Sequence, residues 1–180
     1  MSIRLRPAAL EDMPAIRALL AATWHATYDP IFGPERVSAM TGAWHSEENL
    51  RREWEEAGAF PAKRIFLVAE SDSQLVATAS AILMDDETVK LTRLYVHPDL
   101  QRQGLGQAML ERCFAHFPLA HRGQLEVVAG NANAIAFYRR FGFIEAAPAA
   151  SASAQGRREP TFSLAFEVAL PLGHRTNYYE

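Results

Sequence analysis

The sequence predicts an α/β fold: a single domain over residues 1–180, built on a mixed, mostly antiparallel sheet flanked by helices. Three observations carry that expectation. Stretches of period-two alternation interchange with stretches of helical period, and their order is strand, helices, several strands, then strand–helix–strand–helix–strand. No internal repeat and no clear boundary divides the chain. Its 180 residues, 49% apolar and 22% charged, match one ordinary globular domain of ~100–200 residues with a sizeable core.

The elements follow in order. Ile3 and Leu5 alternate with Arg4 and Arg6, a short strand stopped by Pro7. From Leu10 to Trp24 the apolar positions step by three and four (Leu10, Met13, Ile16, Leu19 or Leu20, Thr23 or Trp24), one face of a helix. Glu11 and Asp12 stand in its first turn, opposing the positive end of the helix dipole. Pro30, Gly33, Pro34 and Gly42 punctuate residues 25–46, so a loop with a short helix near Glu35–Met40 is expected. Ser46 followed by Glu47 and Glu48 reads as an N-cap opening a helix to about Ala57, ended by Gly58. Ile65–Glu70 and Leu75–Leu83 flank the turn signal Ser71-Asp72-Ser73 and predict a hairpin. Thr88–Val96 is the next strand and Gly104–Phe117 a helix ended by Pro118. Gln124–Ala129 is a strand, Asn131–Phe141 a helix, and Gly142 suits the left-handed position after it. Phe143–Ala146 starts another strand. Residues 147–160 are an Ala/Ser/Gly/Arg-rich loop, and Thr161–Leu170 is the last strand.

Charge and composition exclude several classes. The net charge of −3 gives no whole-molecule attraction to nucleic acid or to anionic membrane. The longest apolar stretches fall well short of the ~20 residues of a membrane span, and the N-terminus shows no signal-peptide pattern. One cysteine, Cys113, builds no internal disulfide framework; it fits a reducing, cytoplasmic setting and a place on an apolar helix stripe. Six histidines show no metal-ligand spacing, so no metal is expected. Sixteen of the eighteen basic residues are Arg, leaving Lys63 and Lys90.

The run Gln101-Arg102-Gln103-Gly104-Leu105-Gly106 lies between a strand end and a helix start. Free backbone N–H groups and the helix dipole converge at such a place and hold an anion, with phosphate the usual one. Gly104 and Gly106 remove Cβ atoms that would block close approach. The P-loop requires Gly-Lys-Ser/Thr, but Gln107 and Ala108 follow Gly106; the dinucleotide fingerprint requires Gly or Ala where Met109 stands. A tight turn without a ligand is the alternative.

LEVVAGNANAIAFYRRFGF at Leu125–Phe143, together with LYVHPDLQRQGLGQAML, resembles the GNAT superfamily of acyl-CoA-dependent N-acyltransferases. The two matched segments cover about residues 88–145, the implied acyl-CoA-binding core. Helices over about 8–58 lie on the implied acceptor side. The resemblance implies a GNAT-like sheet with a splayed strand pair that binds acetyl-CoA. Backbone N–H groups from about Arg102 to Gln107 then hold the pyrophosphate, and Gln101 opens that loop. Leu94, Tyr95 and Val96 line the pantetheine and the thioester carbonyl. Asn131 matches the family Asn at the end of the second strand, and Tyr138 the Tyr that protonates the departing CoA thiolate. A phenol with reference pKa ~10 can donate to a thiolate whose parent thiol is near ~8.5, and Tyr138 lies on the inward stripe of Ala134, Ile135 and Phe141. A core Tyr with a satisfied hydroxyl is the alternative.

The base departs from the common pattern. Lys90, Thr92 and Arg93 occupy the positions where many relatives carry a Glu on the strand before the loop. Glu126, twelve residues before Tyr138, is the substitute, in the spacing of ribosomal-protein and other protein N-terminal acetyltransferases of the superfamily. On a strand covered on both faces a carboxylate is buried and its pKa raised toward a base's range. A salt bridge, for example to Arg93, or a water chain as base is the alternative. Trp24 and Tyr28 fall where the superfamily builds its acceptor pocket, and aromatic walls bind amines by cation–π contact; packing in the core is the other reading. The resulting expectation is an N-acetyltransferase acting by direct attack, with a small-molecule amine as acceptor. A protein N-terminus is the first alternative, and a non-catalytic acyl-CoA-binding regulatory module the second. A homodimer is also expected as possible, with the last strand as its edge.

Overall fold

The computed structural model describes residues 3–146 and 163–170. Among these residues the sheet holds seven strands in the order β1-β2-β3-β4-β5-β7-β6: β1 Ile3–Pro7, β2 Arg64–Ser71, β3 Gln74–Leu83, β4 Thr88–Val96, β5 Arg122–Val128, β6 Ile144–Glu145 and β7 Ser163–Ala169. All neighbours are antiparallel except β4 and β5, which run parallel. Five helices cover it: α1 Met13–Phe32, α2 Pro34–Trp44, α3 Glu47–Ala59, α4 Leu105–Ala115 and α5 Ala132–Arg140. The mixed, mostly antiparallel class is the one the segment order predicts.

The hairpin is as expected. Asp72 (φ 50°) and Ser73 (φ 63°) form the two-residue turn between β2 and β3, both left-handed, as the twist of paired strands favours. Ser46 caps α3 through its side chain, accepting from the Asn49 N–H at 3.2 Å.

Three expectations change. The helix opening near Leu10 does not stop at Trp24; α1 runs to Phe32, and α2 replaces the expected loop. Tyr28 extends the buried stripe one turn beyond Trp24, and Pro30 stands in the last turn, where it removes one i→i−4 hydrogen bond without ending the helix. The joint is Gly33, whose φ of +81° suits only glycine, and Pro34 restarts the helix at its first position. The last strand is not an edge: β7 lies between β5 and β6, and β6 forms the edge. Helix α4 ends at Ala115, although Phe117 remains buried. The expected loop at 147–160 and the first two residues of the expected last strand, Thr161 and Phe162, lie outside the described residues.

Two apolar layers sandwich the sheet. On one face α4 and α5 bury Leu105, Met109, Leu110, Cys113 and Tyr138 against Val89, Leu91, Leu125, Val127 and Phe166. On the other, α1 and α3 bury Met13, Ile16, Leu20 and Leu50 against Phe66 and Val68. Full burial of each large side chain contributes about 1.5–3 kcal/mol. Cys113 is core, as its stripe predicts, and burial pushes its thiol up to about 12.

Candidate active site

Two irregularities in β4 build the site. The β3–β4 register passes from Ser80↔Arg93 to Ala81↔Leu91, which leaves Thr92 as an extra residue. Thr92 Oγ1 donates to Ser80 O at 3.1 Å and lies 2.8 Å from Ser80 Oγ. One extra residue reverses the alternation of faces. Leu94 and Val96 therefore pack toward α4, while Tyr95 packs into the α1 side. Arg93 joins that side, where it pairs with Glu53 of α3 at 2.7 Å and lies over the Phe66 ring.

The second irregularity is a parting of strands. Parallel pairing joins Thr88–Arg122, Val89–Gly123 and Lys90–Gln124, and then stops. From Leu91 to Val96 and from Leu125 to Val128 the two strands are no longer partners. This is the splayed pair that the resemblance implies.

At the mouth of the gap, Pro98–Leu100 make one tight turn and the chain enters α4 through Gly104. Arg102 (φ 63°) and Gly104 (φ 86°) are both left-handed, and such reversals turn successive N–H groups to one side. The first intrahelical bond is Ala108 N–H to Gly104 O at 3.1 Å, so the N–H groups of Leu105, Gly106 and Gln107 precede the helical ladder. Side chains tie the loop down: Gln101 donates to Val96 O at 3.1 Å and Gln103 to Asp99 O at 3.2 Å. Gly104 is required by its backbone angle. A Cβ at Gly106 would meet the Phe137 ring at 3.5 Å, an ordinary contact.

Tyr138 of α5 is buried in the core on the α4 side of the sheet, 8% exposed, between Phe137 and Phe143 (ring centroids 5.1 and 5.5 Å). Burial is the main cause that pushes its phenol up, and the nearby phenols of Tyr95 and Tyr28 add to it. Burial likewise raises Tyr95 and Tyr28. Asn131 caps α5, accepting from the Ala134 N–H at 3.0 Å, and its Nδ2 donates to the Tyr28 hydroxyl at 3.1 Å. One side chain thus fixes α5 to α1.

The two residues expected on the acceptor side are buried together. Trp24 and Tyr28 are 3% and 5% exposed and pack with Val37, Phe32, Met40, Tyr95 and Val128. They form a wall beneath the surface. Glu126 is also displaced from its expected setting. It is half-exposed, because its face of β5 opens where the strands part, and it pairs with Lys90 at 2.7 Å. The expected burial is corrected, and so is the expected partner, since Arg93 is held by Glu53. His45 was not singled out by the sequence. It is buried, stacks edge-on against Trp24 (5.4 Å) and Tyr95 (6.1 Å), and neither ring nitrogen has a hydrogen-bond partner. Its place beside the aromatic run ending at Trp44 was the available signal. No group of three metal-ligating side chains occurs among the described residues.

Comparison with known proteins agrees with this geometry. The acetyltransferase (GNAT) family model matches residues 22–143. The [ribosomal protein bS18]-alanine N-acetyltransferase of Escherichia coli K12 is 39% identical over 85 residues, 45% of this chain and 55% of that protein. That of Salmonella typhimurium LT2 is 34% identical over 116 residues, 59% of this chain and 76% of that protein. The chain thus spans about half the length of the first of these curated relatives. The PaiA N-acetyltransferase of Thermoplasma acidophilum, solved in complex with coenzyme A, superposes with a TM-score of 0.81 at 21% identity, covering 94% of this chain and 99% of that one. The Escherichia coli ribosomal-protein-S18-alanine N-acetyltransferase gives 0.65 at 23%, over 98% and 99%. At these identities the structural likeness establishes the fold.

Proposed function

The chain belongs to the acetyltransferase (GNAT) family, and from that membership we propose that it transfers the acetyl group of acetyl-CoA to a primary amine by direct attack. The single observation that carries this reading is the β4–β5 gap followed by the left-handed Arg102–Gly104 loop, with Tyr138 buried in the same core. The residues fit an acyl-CoA. Arg102 to Gln107 offer converging N–H groups for a pyrophosphate, with Gln101 anchoring the loop, and Leu94, Tyr95 and Val96 present backbone that β5 does not pair. Acetyl-CoA supplies the activated thioester. Tyr138, held protonated by its burial, donates the proton to the leaving sulfur. Glu126 takes the amine proton, directly or through water, from the open face of β5.

A small-molecule acceptor is favoured because Trp24 and Tyr28, with Val37 of α2, close the acceptor side as a packed wall. A protein N-terminus is the second reading, favoured by the 39% identity to a bS18-alanine acetyltransferase. The proposed setting is cytoplasmic, in line with a lone buried cysteine. No helix of the described residues is long and apolar enough to cross a membrane.

Acetyl-CoA is expected to raise the melting temperature, as a ligand of the native state must. Free-thiol release is then followed against a panel of small amines and N-terminal peptides. Release with small amines alone supports the first reading, and release with peptides alone the second. Binding without release for any acceptor replaces both with a regulatory module. No stabilisation by any acyl-CoA overturns acetyl transfer.

A further inference from the structure

Glu126 does not stand alone on the open face of β5. Val89 and Leu91 of β4, and Leu125 and Val127 of β5, belong to the core on the α4 side. Alternation therefore puts Lys90 and Glu126 on the opposite face, which Val128 shares as it packs with Trp24 and Tyr28. Lys90 and Gln124 are the last pair before the strands part. From there the Lys90 side chain reaches diagonally to Glu126, two residues further along β5, and its Nζ donates to Oε1 at 2.7 Å.

The neighbouring polar side chains are matched to one another. Ser80 and Thr92 lie 2.8 Å apart through their hydroxyls, Gln124 donates to Glu167 at 2.8 Å, and Arg93 is held under α3 by Glu53 at 2.7 Å. Lys90 and Glu126 are only half matched. An ammonium has three donors, and Lys90 makes no other hydrogen bond among the described residues, so two N–H groups remain. Glu126 Oε2 has no partner among those residues either. The pair is 30% and 48% exposed, so it adds little stability, and its unused donors and oxygen stay within reach of a ligand. Its place sets it apart from an ordinary surface ion pair: it spans the point where the strands part, on the face that the Trp24–Tyr28 wall closes.

In an α-amino carbonyl compound the amine nitrogen and the carbonyl oxygen lie about 3 Å apart by covalent geometry. That spacing matches the 2.7 Å between Lys90 Nζ and Glu126 Oε1. Such a compound can set its amine at Oε2 and its oxygen at the free N–H groups of Lys90 together. An amine without that oxygen gains only the first contact. A second positive charge on the acceptor meets the Lys90 ammonium and is repelled. We propose that Lys90 sets acceptor specificity: its ammonium binds the oxygen on the carbon next to the amine-bearing carbon, so the acceptors are α-amino carbonyl compounds. The inference rests on the reading of Glu126 as the base in acetyl transfer and names the acceptor class of that same site. The carboxylate of a free amino acid and the first peptide carbonyl of an N-terminus share this chemistry, and the test separates them.

Thiol release from acetyl-CoA is measured with alaninamide, alanine, an alanine-initiated peptide, and isopropylamine, which lacks the oxygen. Wild type, Lys90→Met and Lys90→Arg are compared. The quantity read is a preference, the ratio of kcat/KM for each carbonyl-bearing acceptor to that for isopropylamine. Differences in amine basicity are the same for all three chains and cancel between them. Lys90→Met is expected to lower the preference about tenfold or more, the loss of one charge-assisted contact, and Lys90→Arg to keep most of it. The contrast is also read without turnover: alaninamide is expected to raise the melting temperature of the CoA-bound wild type, and Lys90→Met to reduce that rise. A Lys90-dependent preference for alaninamide and the peptide marks an N-terminus as acceptor, and one for alanine alone marks a free amino acid. A preference unchanged in Lys90→Met overturns the proposal, as does a melting rise absent in the wild type or unchanged in the variant. An equal loss with every acceptor, isopropylamine included, also overturns it and leaves Lys90 a support for Glu126 alone. Stabilisation by acetyl-CoA without release from any chain to any acceptor overturns acetyl transfer itself, and the role of Lys90 with it.

Discussion

Replacing His45 by phenylalanine is expected to flatten the pH dependence of stability. Burial first, and the charge of Arg93 second, push the imidazole from 6.5 down to about 3. Between those values the unfolded chain binds a proton that the folded chain refuses. Stability is therefore complete above about pH 6.5 and is lost as the pH falls through that window. At about pH 5 the loss is RT ln(1 + 10^1.5), about 2 kcal/mol, and any folded-state value below about 4 gives the same figure. For a chain of this length that is about 4–8 °C in Tm. Phenylalanine keeps the edge-on contacts with Trp24 and Tyr95 and removes the titration. Urea unfolding of both chains at about pH 7.5 and about pH 5, in buffers free of carboxylates, reads the difference. The wild type should lose about 2 kcal/mol more than the variant between the two conditions. Asp12 and Asp85, both held below the usual carboxylate range, are present in both chains and cancel. Equal losses would show that His45 is hydrated and free to protonate in the folded state.

Three other outcomes are expected. Tyr138→Phe should slow thiol release about a hundredfold or more while leaving acetyl-CoA stabilisation intact, and an unchanged rate removes Tyr138 from the reaction. Glu53→Gln leaves the Arg93 guanidinium, 9% exposed, without its charge partner. The cost should be about 3 kcal/mol in urea unfolding, and a loss below about 1 kcal/mol would mean that the charge is balanced elsewhere. Asn131→Ala removes the α5 cap and the donor to Tyr28 together and should cost about 1 kcal/mol or more. Tyr28→Phe, which keeps the cap and removes only the second bond, should cost less than Asn131→Ala, and an equal cost would assign the loss to the Tyr28 bond.

What the sequence made legible was local. The β2–β3 hairpin follows from Asp72-Ser73 between two apolar runs, and the α3 start follows from Ser46; both are decided within four residues. The loop expected at 25–46 failed because Pro30 and Gly33 were weighed as breakers of equal rank. Only Gly33 breaks the helix, while Pro30 removes one hydrogen bond from a last turn that buried Tyr28 holds in place. The Arg102–Gly106 loop was legible through its glycines. The bulge at Thr92 was not, since neither glycine nor proline marks it and its geometry depends on the Ser80 partner across the strand. The burial expected of Glu126 fails for a related reason. The rule that parallel strands are covered on both faces holds where strands pair, and β5 leaves β4 two residues before Glu126.

The bulge and the parting of strands together divide the proposed proton chemistry between two environments. Because Thr92 reverses the alternation, Tyr95 enters the α1 side beside Tyr28, and both phenols act on Tyr138 from across the gap. Burial first, and the phenols of Tyr95 and Tyr28 after it, oppose ionisation of Tyr138, which keeps its proton and so suits a donor. The proton of an incoming amine must then go elsewhere. The face of β5 that opens as the strands part carries Glu126, half-exposed and paired with Lys90. Its exposure gives the amine proton a route to water. Donor and acceptor are thus separated by the same two backbone features, and neither role requires a metal-ligand set or a histidine at the gap.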